Sequence, residues 1–144
     1  MHSPRIFPYE KLTKYPHMKP EDVAVWEVFI EKYPNAFNSV SYDVCCGEGA
    51  DFLPTEEDTP AGRENRLYKK KIDVVGYNGD TATIIEVKPY ADFRGLGQII
   101  GYHELYCRDN QNGAQPRKML VCNEATVEMR SLYESNGIEV IETK

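Results

Sequence analysis

The feature that most constrains the fold is a pair of β-forming runs joined by Asn78-Gly79. The runs cover residues 70–77 and 80–88 and are rich in Val, Ile and Thr. Asn-Gly is a preferred residue pair for tight two-residue hairpin loops. We therefore predict an antiparallel hairpin in which Tyr77 faces Asp80.

The predicted register brings two acidic residues together. Asp73 faces Ile84, which makes Asp73 and Glu86 diagonal neighbours. Since side chains alternate along a strand, Asp73, Glu86 and Lys88 project from the same face. A bulge at Gly76 is the alternative that stays open, because it would turn Asp73 to the other face.

The rest of the chain alternates helical and extended patterns. In the first helix Val23, Trp26, Ile30 and Tyr33 form one apolar stripe, with Glu27 at its edge. The resulting order of elements is typical of an α/β fold, with a mixed central sheet and helices on both faces. We predict helices over 20–33, 94–108 and 124–136, and further strands over 39–46, 118–122 and 138–142.

Length and composition indicate one folded unit. The chain has 144 residues, of which 41% are hydrophobic, and a domain of this size buries about two thirds of its unfolded surface. We predict a single domain over 1–144, with an irregular arm over 1–19 and an acidic flexible loop over 47–68.

No apolar run suits a membrane span or a signal peptide, and the four cysteines lack metal-site spacing. We therefore expect a cytoplasmic protein with no membrane partner and with core thiols.

The acidic pair is suited to binding a metal. Diagonal strand positions put Cβ atoms roughly 7 Å apart, so Asp73 and Glu86 can hold one divalent cation. Hard oxygen ligands favour Mg²⁺ or Mn²⁺. Lys88 can orient a water or stabilise charge on a phosphate, and this combination suits phosphodiester hydrolysis.

These residues carry a family resemblance. Ile72-Asp73, followed about a dozen residues later by Glu86-Val87-Lys88, resembles the motif of the PD-(D/E)XK nuclease superfamily, with Ile72 in the place of the proline. The segment from Gln98 to Tyr102 resembles the Q-x-x-x-Y motif of its RecB-like branch. The resemblance covers about residues 20–122 and implies a restriction-endonuclease-like αβββαβ core.

The resemblance also implies roles for the motif residues. Asp73, Glu86 and the backbone carbonyl of Val87 would bind the metal, and Lys88 would position the attacking water. Because residues four apart share a helix face, Gln98 would approach the metal while Tyr102 would orient substrate or Gln98.

An acidic residue on the first helix often completes the site in this superfamily. Glu27 is the matching candidate here, as a catalytic group and as a ligand to a second metal. Glu31 lies on nearly the same helix face and is the alternative.

Basic residues cluster near the motif. The net charge of -6 argues against a protein that coats nucleic acid, yet residues 61–94 carry seven basic and five acidic side chains. We expect a deoxyribonuclease whose specificity comes from DNA structure, a homodimer or a partner protein, since no helix-turn-helix or zinc-finger spacing is present. The residues expected to contact phosphates are Arg63, Arg66, Lys69, Lys70, Lys71 and Arg94.

Other interpretations remain open at this stage. The acidic charge favours a non-catalytic nuclease-fold module for DNA binding or assembly, and RNA or small phosphate esters are alternative substrates. Endo or exo action is undetermined, and a virus or mobile element is as suitable a source as a repair pathway. We interpret His103 as structural, and the Gly95-Leu96-Gly97 triplet as tight backbone packing at the start of a helix.

Overall fold

A computed structural model describes residues 4–47, 70–111 and 113–144. Every predicted helix and strand is present, with small changes at the ends. The helices are α1 (Pro20–Lys32), α2 (Phe93–Asp109) and α3 (Val127–Ser135). The strands are β1 (Phe7–Pro8), β2 (Ser39–Cys46), β3 (Lys70–Asn78), β4 (Thr81–Tyr90), β5 (Arg117–Glu124) and β6 (Ile138–Glu142).

The described strands form one mixed sheet in the order β1-β2-β3-β4-β5-β6. Neighbouring strands are antiparallel from β1 to β4 and parallel from β4 to β6. The predicted α/β fold is confirmed. The arm over 1–19 is less irregular than predicted, because β1 pairs with β2.

Helices cover both faces of the sheet. Successive residues of β5 show this, since side chains alternate between the faces of a strand. Met119 and Val121 pack in the cluster that contains Trp26 of α1. Leu120 packs in the cluster that contains residues of α2 and α3, including Tyr133. None of the described helices has the length and apolar character that crossing a membrane requires.

The hairpin between β3 and β4 is confirmed, but its loop lies one residue later than predicted. Asn78 pairs with Thr81, so Gly79 and Asp80 form the two-residue loop, and Gly79 has a φ of +57°. The Asn78 side-chain amide donates a hydrogen bond to the carbonyl of Ala36 at 2.8 Å. This tertiary contact holds Asn78 in the strand, against its preference for the turn.

The changed loop alters which residues lie opposite each other. The pairing ends at Val74 and Ile85, and one further step along this register brings Asp73 opposite Glu86, where a diagonal arrangement was predicted. The residue opposite Asp73 thus changes from Ile84 to Glu86, a shift of two positions along β4. Because side chains alternate with a period of two, a shift of two positions keeps each side chain on its predicted face. The prediction that Asp73 and Glu86 share a face is therefore retained despite the wrong register.

Gly76 does not form a bulge. It pairs regularly with Val40 on one side and Thr83 on the other. A Cβ at this position would lie 2.5 Å from ring atoms of Phe37. The glycine is needed because the Phe37 ring packs directly on the strand backbone.

Candidate metal centre

β3 and β4 separate at the acidic residues. Their pairing stops at Val74 and Ile85, and β4 continues beside β5. Beyond that point, the backbone N–H of Val87 donates a hydrogen bond to Asp73 Oδ2 at 3.1 Å. Asp73 and Glu86 therefore lie where the two strands diverge, which we call the fork.

β2 is distorted beside the fork. Asp43 has a φ of +54°, and the pairing of β2 with β3 omits Asp43 before it resumes at Val44 and Ile72. Tyr42 packs in the cluster beneath α1, whereas Val44 packs in the cluster beneath α2. Such left-handed backbone at a non-glycine residue costs on the order of 1–3 kcal/mol and is concentrated at functional sites. The fold thus accommodates strain next to Asp73.

Glu86 is a buried carboxyl group beside the half-buried Asp73. Only 2% of the Glu86 surface is exposed. Burial raises the pKa of Glu86 far above its ordinary value, a hydrogen bond and the charge of Asp73 raise it further, and Lys88 opposes the shift. Burial and the neighbouring charge of Asp73 both favour the protonated form of the Glu86 carboxyl group.

Two buried oxygen atoms of the described residues have no hydrogen-bond partner. They are Oε1 of Glu86 and Oε1 of Gln98. Gln98 lies in the second turn of α2, near the helix N-terminus that Asp92 caps by accepting the Gly95 N–H at 2.8 Å. A buried acceptor without a donor costs about 1–3 kcal/mol. A divalent cation with its bound waters would satisfy both oxygens.

The Val87 carbonyl adds another oxygen at the fork. The N–H and C=O of a strand residue leave the strand on the same side, and the Val87 N–H points to Asp73. The described residues contain no group of three or more His, Cys, Asp or Glu side chains able to hold a metal. The donors at the fork are therefore two carboxylates and one carbonyl, and the unpartnered amide oxygen of Gln98 is a further candidate. This oxygen-only set fits Mg²⁺, which keeps several waters and needs only one or two carboxylates.

Lys88 is fixed by the start of α2. Its aliphatic stem passes over Gly95, where a Cβ would lie 3.0 Å from Lys88 Cδ and 2.5 Å from the Tyr133 hydroxyl oxygen. Tyr133 donates a hydrogen bond to the carbonyl of Asp92 at 2.6 Å. The predicted tight packing is confirmed at Gly95, where it holds Lys88 near Glu86. It is not found at Gly97, where a Cβ would meet nothing within 4 Å among the described residues.

Tyr102 lies one helical turn beyond Gln98 and borders the same site. Burial raises the pKa of Tyr102 to about 12, and the charges of Glu86 and Asp73 add to this rise, while Arg94 opposes it. Tyr102 is therefore a protonated hydrogen-bond donor at neutral pH. Arg94 supplies positive charge on the same side of α2.

α1 carries a second acidic residue near the fork, Asp22, in addition to Glu27, whose role in the site stays a prediction. Glu27 Oε2 accepts a hydrogen bond from the Tyr15 hydroxyl at 2.8 Å, against the N-terminal segment. The pKa of Asp22 is raised to about 6 by burial first and then by the charges of Asp73 and Glu21, with Lys88 opposing. Asp22 is therefore within electrostatic reach of Asp73 and Lys88.

The position of Asp22 follows from which face of α1 is buried. The buried residues include Val25, Trp26 and Phe29, whereas Tyr33 is 43% exposed. Asp22 lies three, four and seven residues before these buried positions, so it continues the stripe that faces the sheet. An acidic residue in line with a buried stripe is the sequence signal that could have identified it. The alternative Glu31 is exposed and pairs with Lys11.

The basic residues are only partly described. Lys70 and Lys71 are exposed at the start of β3, and Lys71 forms an ion pair with Asp43 at 3.5 Å. Arg94 lies near Tyr102. Arg63, Arg66 and Lys69 lie outside the described residues, as does the predicted acidic loop apart from Gly47.

His103 forms its hydrogen bond away from the fork, whereas Cys46 is close enough to Glu86 for their charges to interact. The His103 Nε2 forms a hydrogen bond with the carbonyl of Pro116 at 2.9 Å, which is consistent with a structural role. All four cysteines are free thiols. Cys46 and Cys122 are buried as predicted, whereas Cys45 is exposed.

No protein-family model and no curated protein matches the chain. Among solved structures, a repair endonuclease from Pyrococcus abyssi is similar with a TM-score of 0.50 and 17% identity, over 91% of this chain and 49% of its own. A structure of an EndoMS-dsDNA2 complex is similar with a TM-score of 0.47 and 15% identity, over 93% of this chain and 50% of its own. The chain thus spans about half the length of each of these two proteins. At this identity the first similarity concerns the fold alone, and the mixed sheet with its flanking helices has the fold found in that repair endonuclease.

Proposed function

We propose that the protein is a Mg²⁺- or Mn²⁺-dependent nuclease of the PD-(D/E)XK type that hydrolyses DNA phosphodiester bonds. The observation that carries this proposal is the buried carboxyl group of Glu86 beside Asp73 at the fork, with one Glu86 oxygen that has no hydrogen-bond partner among the described residues. A buried carboxyl group without a partner is costly in a purely structural role but is suited to bind a cation. The shared fold with a repair endonuclease adds support.

Asp73, Glu86 and the Val87 carbonyl would hold the cation, and Gln98 would support it with its amide oxygen. When bound there, Mg²⁺ would lower the pKa of a coordinated water and offset charge on the phosphate. The fork leaves the rest of the coordination shell to water and substrate, which is the usual arrangement for Mg²⁺.

Lys88 and Asp22 would act on the attacking water. The Lys88 ammonium, held by the packing over Gly95, would orient the water and stabilise charge that develops on the phosphate. Asp22 would accept a proton, because a pKa of about 6 suits a general base near neutral pH.

The surrounding donors and cations would hold the DNA. The Tyr102 phenol would donate to a phosphate oxygen, and Arg94, Lys70 and Lys71 would contact neighbouring phosphates. Such contacts give affinity without sequence information. Specificity would then come from DNA structure, a homodimer or a partner protein.

Cleavage of a panel of linear, circular and branched DNA tests the proposal. Each substrate is incubated with Mg²⁺, Mn²⁺ or EDTA, with wild-type protein and with Glu86→Gln prepared in parallel to detect contaminating nucleases. We expect metal-dependent cutting by the wild type alone. Cutting by neither protein, together with no Mg²⁺ binding in calorimetry, would replace the proposal with a non-catalytic DNA-binding or assembly module.

Competition experiments separate DNA from other substrates. A long duplex should inhibit cleavage of a labelled DNA fragment strongly, whereas small phosphate esters should not. Preferential cleavage of an RNA of matched length would assign the same site to RNA.

A further inference from the structure

Two aromatic side chains project into solvent at the edge of the fork. Tyr90 ends β4 and is 60% exposed, and Phe93 begins α2 and is 71% exposed. Single exposed apolar residues are common on protein surfaces. These two are separated by only two residues and stand between Lys88 and Arg94, so they need a more specific explanation.

Tyr90 projects from the face of β4 that carries the site, and Phe93 begins the helix that covers this face. Glu86, Lys88 and Tyr90 are alternate residues of β4 and therefore project from the same face. Phe93 begins the helical turn whose Gly95 packs on Lys88. A strand of DNA with its phosphate at the fork would pass beside these rings.

The neighbouring surface of α2 is bare. Gly97 and Gly101 are exposed, and a Cβ on either would meet nothing within 4 Å among the described residues. Packing therefore gives no reason for glycine, although glycine in a helix costs about 1 kcal/mol relative to alanine. Phe93, Gly97 and Gly101 are spaced four apart and lie on one helix face. Their arrangement leaves a flat strip beside Phe93, with Arg94 at its border, which a sugar-phosphate chain can approach closely.

We infer that Tyr90 and Phe93 form a stacking platform for an unpaired nucleobase adjacent to the scissile phosphate. This inference rests on the proposed nuclease function of the fork and specifies its substrate class, which is DNA with at least one unpaired nucleotide. Exposed aromatic rings stack on every base irrespective of sequence. A base inside a continuous duplex is stacked on its neighbours and cannot offer its face without leaving the helix. Arg94 then binds a phosphate next to the stacked base.

Fluorescence of 2-aminopurine tests the platform without catalysis, since stacking on an aromatic ring quenches it. The probes are a single-stranded 12-mer with one 2-aminopurine and the same oligonucleotide in a full duplex, both in EDTA. Phe93→Ala and Tyr90→Ala each remove one ring, and Phe93→Tyr is the conservative variant that keeps an aromatic ring at position 93. Val127→Ala is the control, because Val127 is 88% exposed at the start of α3, outside the site.

We expect wild-type protein, Phe93→Tyr and Val127→Ala to quench the single-stranded probe and to bind it more tightly than the duplex. Phe93→Ala should lose the quenching and bind the single strand about tenfold more weakly, as loss of one stacked base predicts. Phe93-dependent quenching by a wild type that cuts no DNA would support the platform while refuting the proposed function.

Three results would overturn the inference. One is equal quenching by wild type and both alanine variants. Another is tighter binding to the full duplex than to the single strand. The third is a wild-type dimer in sedimentation that Phe93→Ala dissociates without any change in quenching, which would assign this surface to a second copy of the chain.

Discussion

The backbone amide of Val87 donates a hydrogen bond to the carboxylate of Asp73 at 3.1 Å, so a side chain replaces the strand ladder at the point where β3 leaves β4. This contact is made where the two strands have separated, while Val74–Asn78 and Thr81–Ile85 remain paired. It also aims the second Asp73 oxygen and the Val87 carbonyl at the same space. The divergence of the strands is thus the structural origin of the proposed metal site.

Replacing Glu86 should change how stability depends on pH. The pKa of Glu86 in the folded protein lies above its ordinary value of 4.5. At pH values between the two, Glu86 is protonated in the folded protein but ionised in the unfolded chain. The free energy of unfolding of the metal-free wild type must then fall as the pH rises. Glu86→Gln, which cannot ionise, should lose this component and melt at a higher temperature than wild type in alkaline EDTA buffer. Parallel melting profiles of the two proteins across the pH range would exclude the buried charge as the cause.

Metal binding should release protons. Because the pKa of Glu86 is raised, a cation that binds its carboxylate at neutral pH must displace a proton from it. Calorimetric titration of Mg²⁺ into wild-type protein at neutral pH, in two buffers of different ionisation enthalpy, should reveal about one proton released per metal. Asp73→Asn serves as the control and should lose most of the signal. Binding enthalpies that are independent of the buffer would contradict the proton exchange.

Asp22 and Glu27 provide a matched pair on one helix. Asp22→Asn removes a charge within electrostatic reach of Asp73 and Lys88 and should lower kcat by about 10²–10⁴-fold, the usual scale for loss of a general base. Glu27→Gln disturbs only the contact with Tyr15 and should affect thermal stability more than kcat. Equal losses of kcat in the two variants would show that α1 acts through its fold alone.

Two glycines of α2 should respond to alanine in opposite ways. At Gly95 a Cβ would clash with Lys88 and Tyr133, so Gly95→Ala should destabilise the protein by about 1–3 kcal/mol and lower kcat by displacing Lys88. At Gly97 a Cβ meets open space, so Gly97→Ala should stabilise the helix by about 0.5–1 kcal/mol. Urea denaturation measures both effects, and a destabilising Gly97→Ala would show that the helix has contacts beyond the described residues.

The sequence predicted the secondary-structure elements, and the face of the sheet that each strand residue occupies, better than it predicted the strand register. Periodicity decides which face of a strand a residue occupies, so Asp73 and Glu86 were assigned to one face correctly even though the loop was placed one residue too early. The exact register depended on the contact between Asn78 and the carbonyl of Ala36. That contact joins segments more than forty residues apart, and local turn preference contains no information about it.

Local periodicity also could not predict which acidic residue of α1 approaches Asp73 and Lys88. Four apolar residues at helical spacing defined a stripe, but α1 has apolar residues around much of its circumference. Only packing against β4 and β5 selects the face that includes Val25 and Phe29. That selection directs Asp22 to the site and leaves Glu27 beside Tyr15.

The dependence of DNA cleavage on Mg²⁺ concentration tests the central claim most directly. Wild type, Asp73→Asn and Lys88→Met are compared on one preferred substrate from the panel. We predict that Asp73→Asn needs a much higher Mg²⁺ concentration for half-maximal cleavage, whereas Lys88→Met keeps the midpoint and loses rate at saturation. Two results would contradict the claim that Asp73 binds a catalytic metal at the fork and that Lys88 positions the attacking water. These are cleavage by wild type in EDTA and identical Mg²⁺ curves for all three proteins.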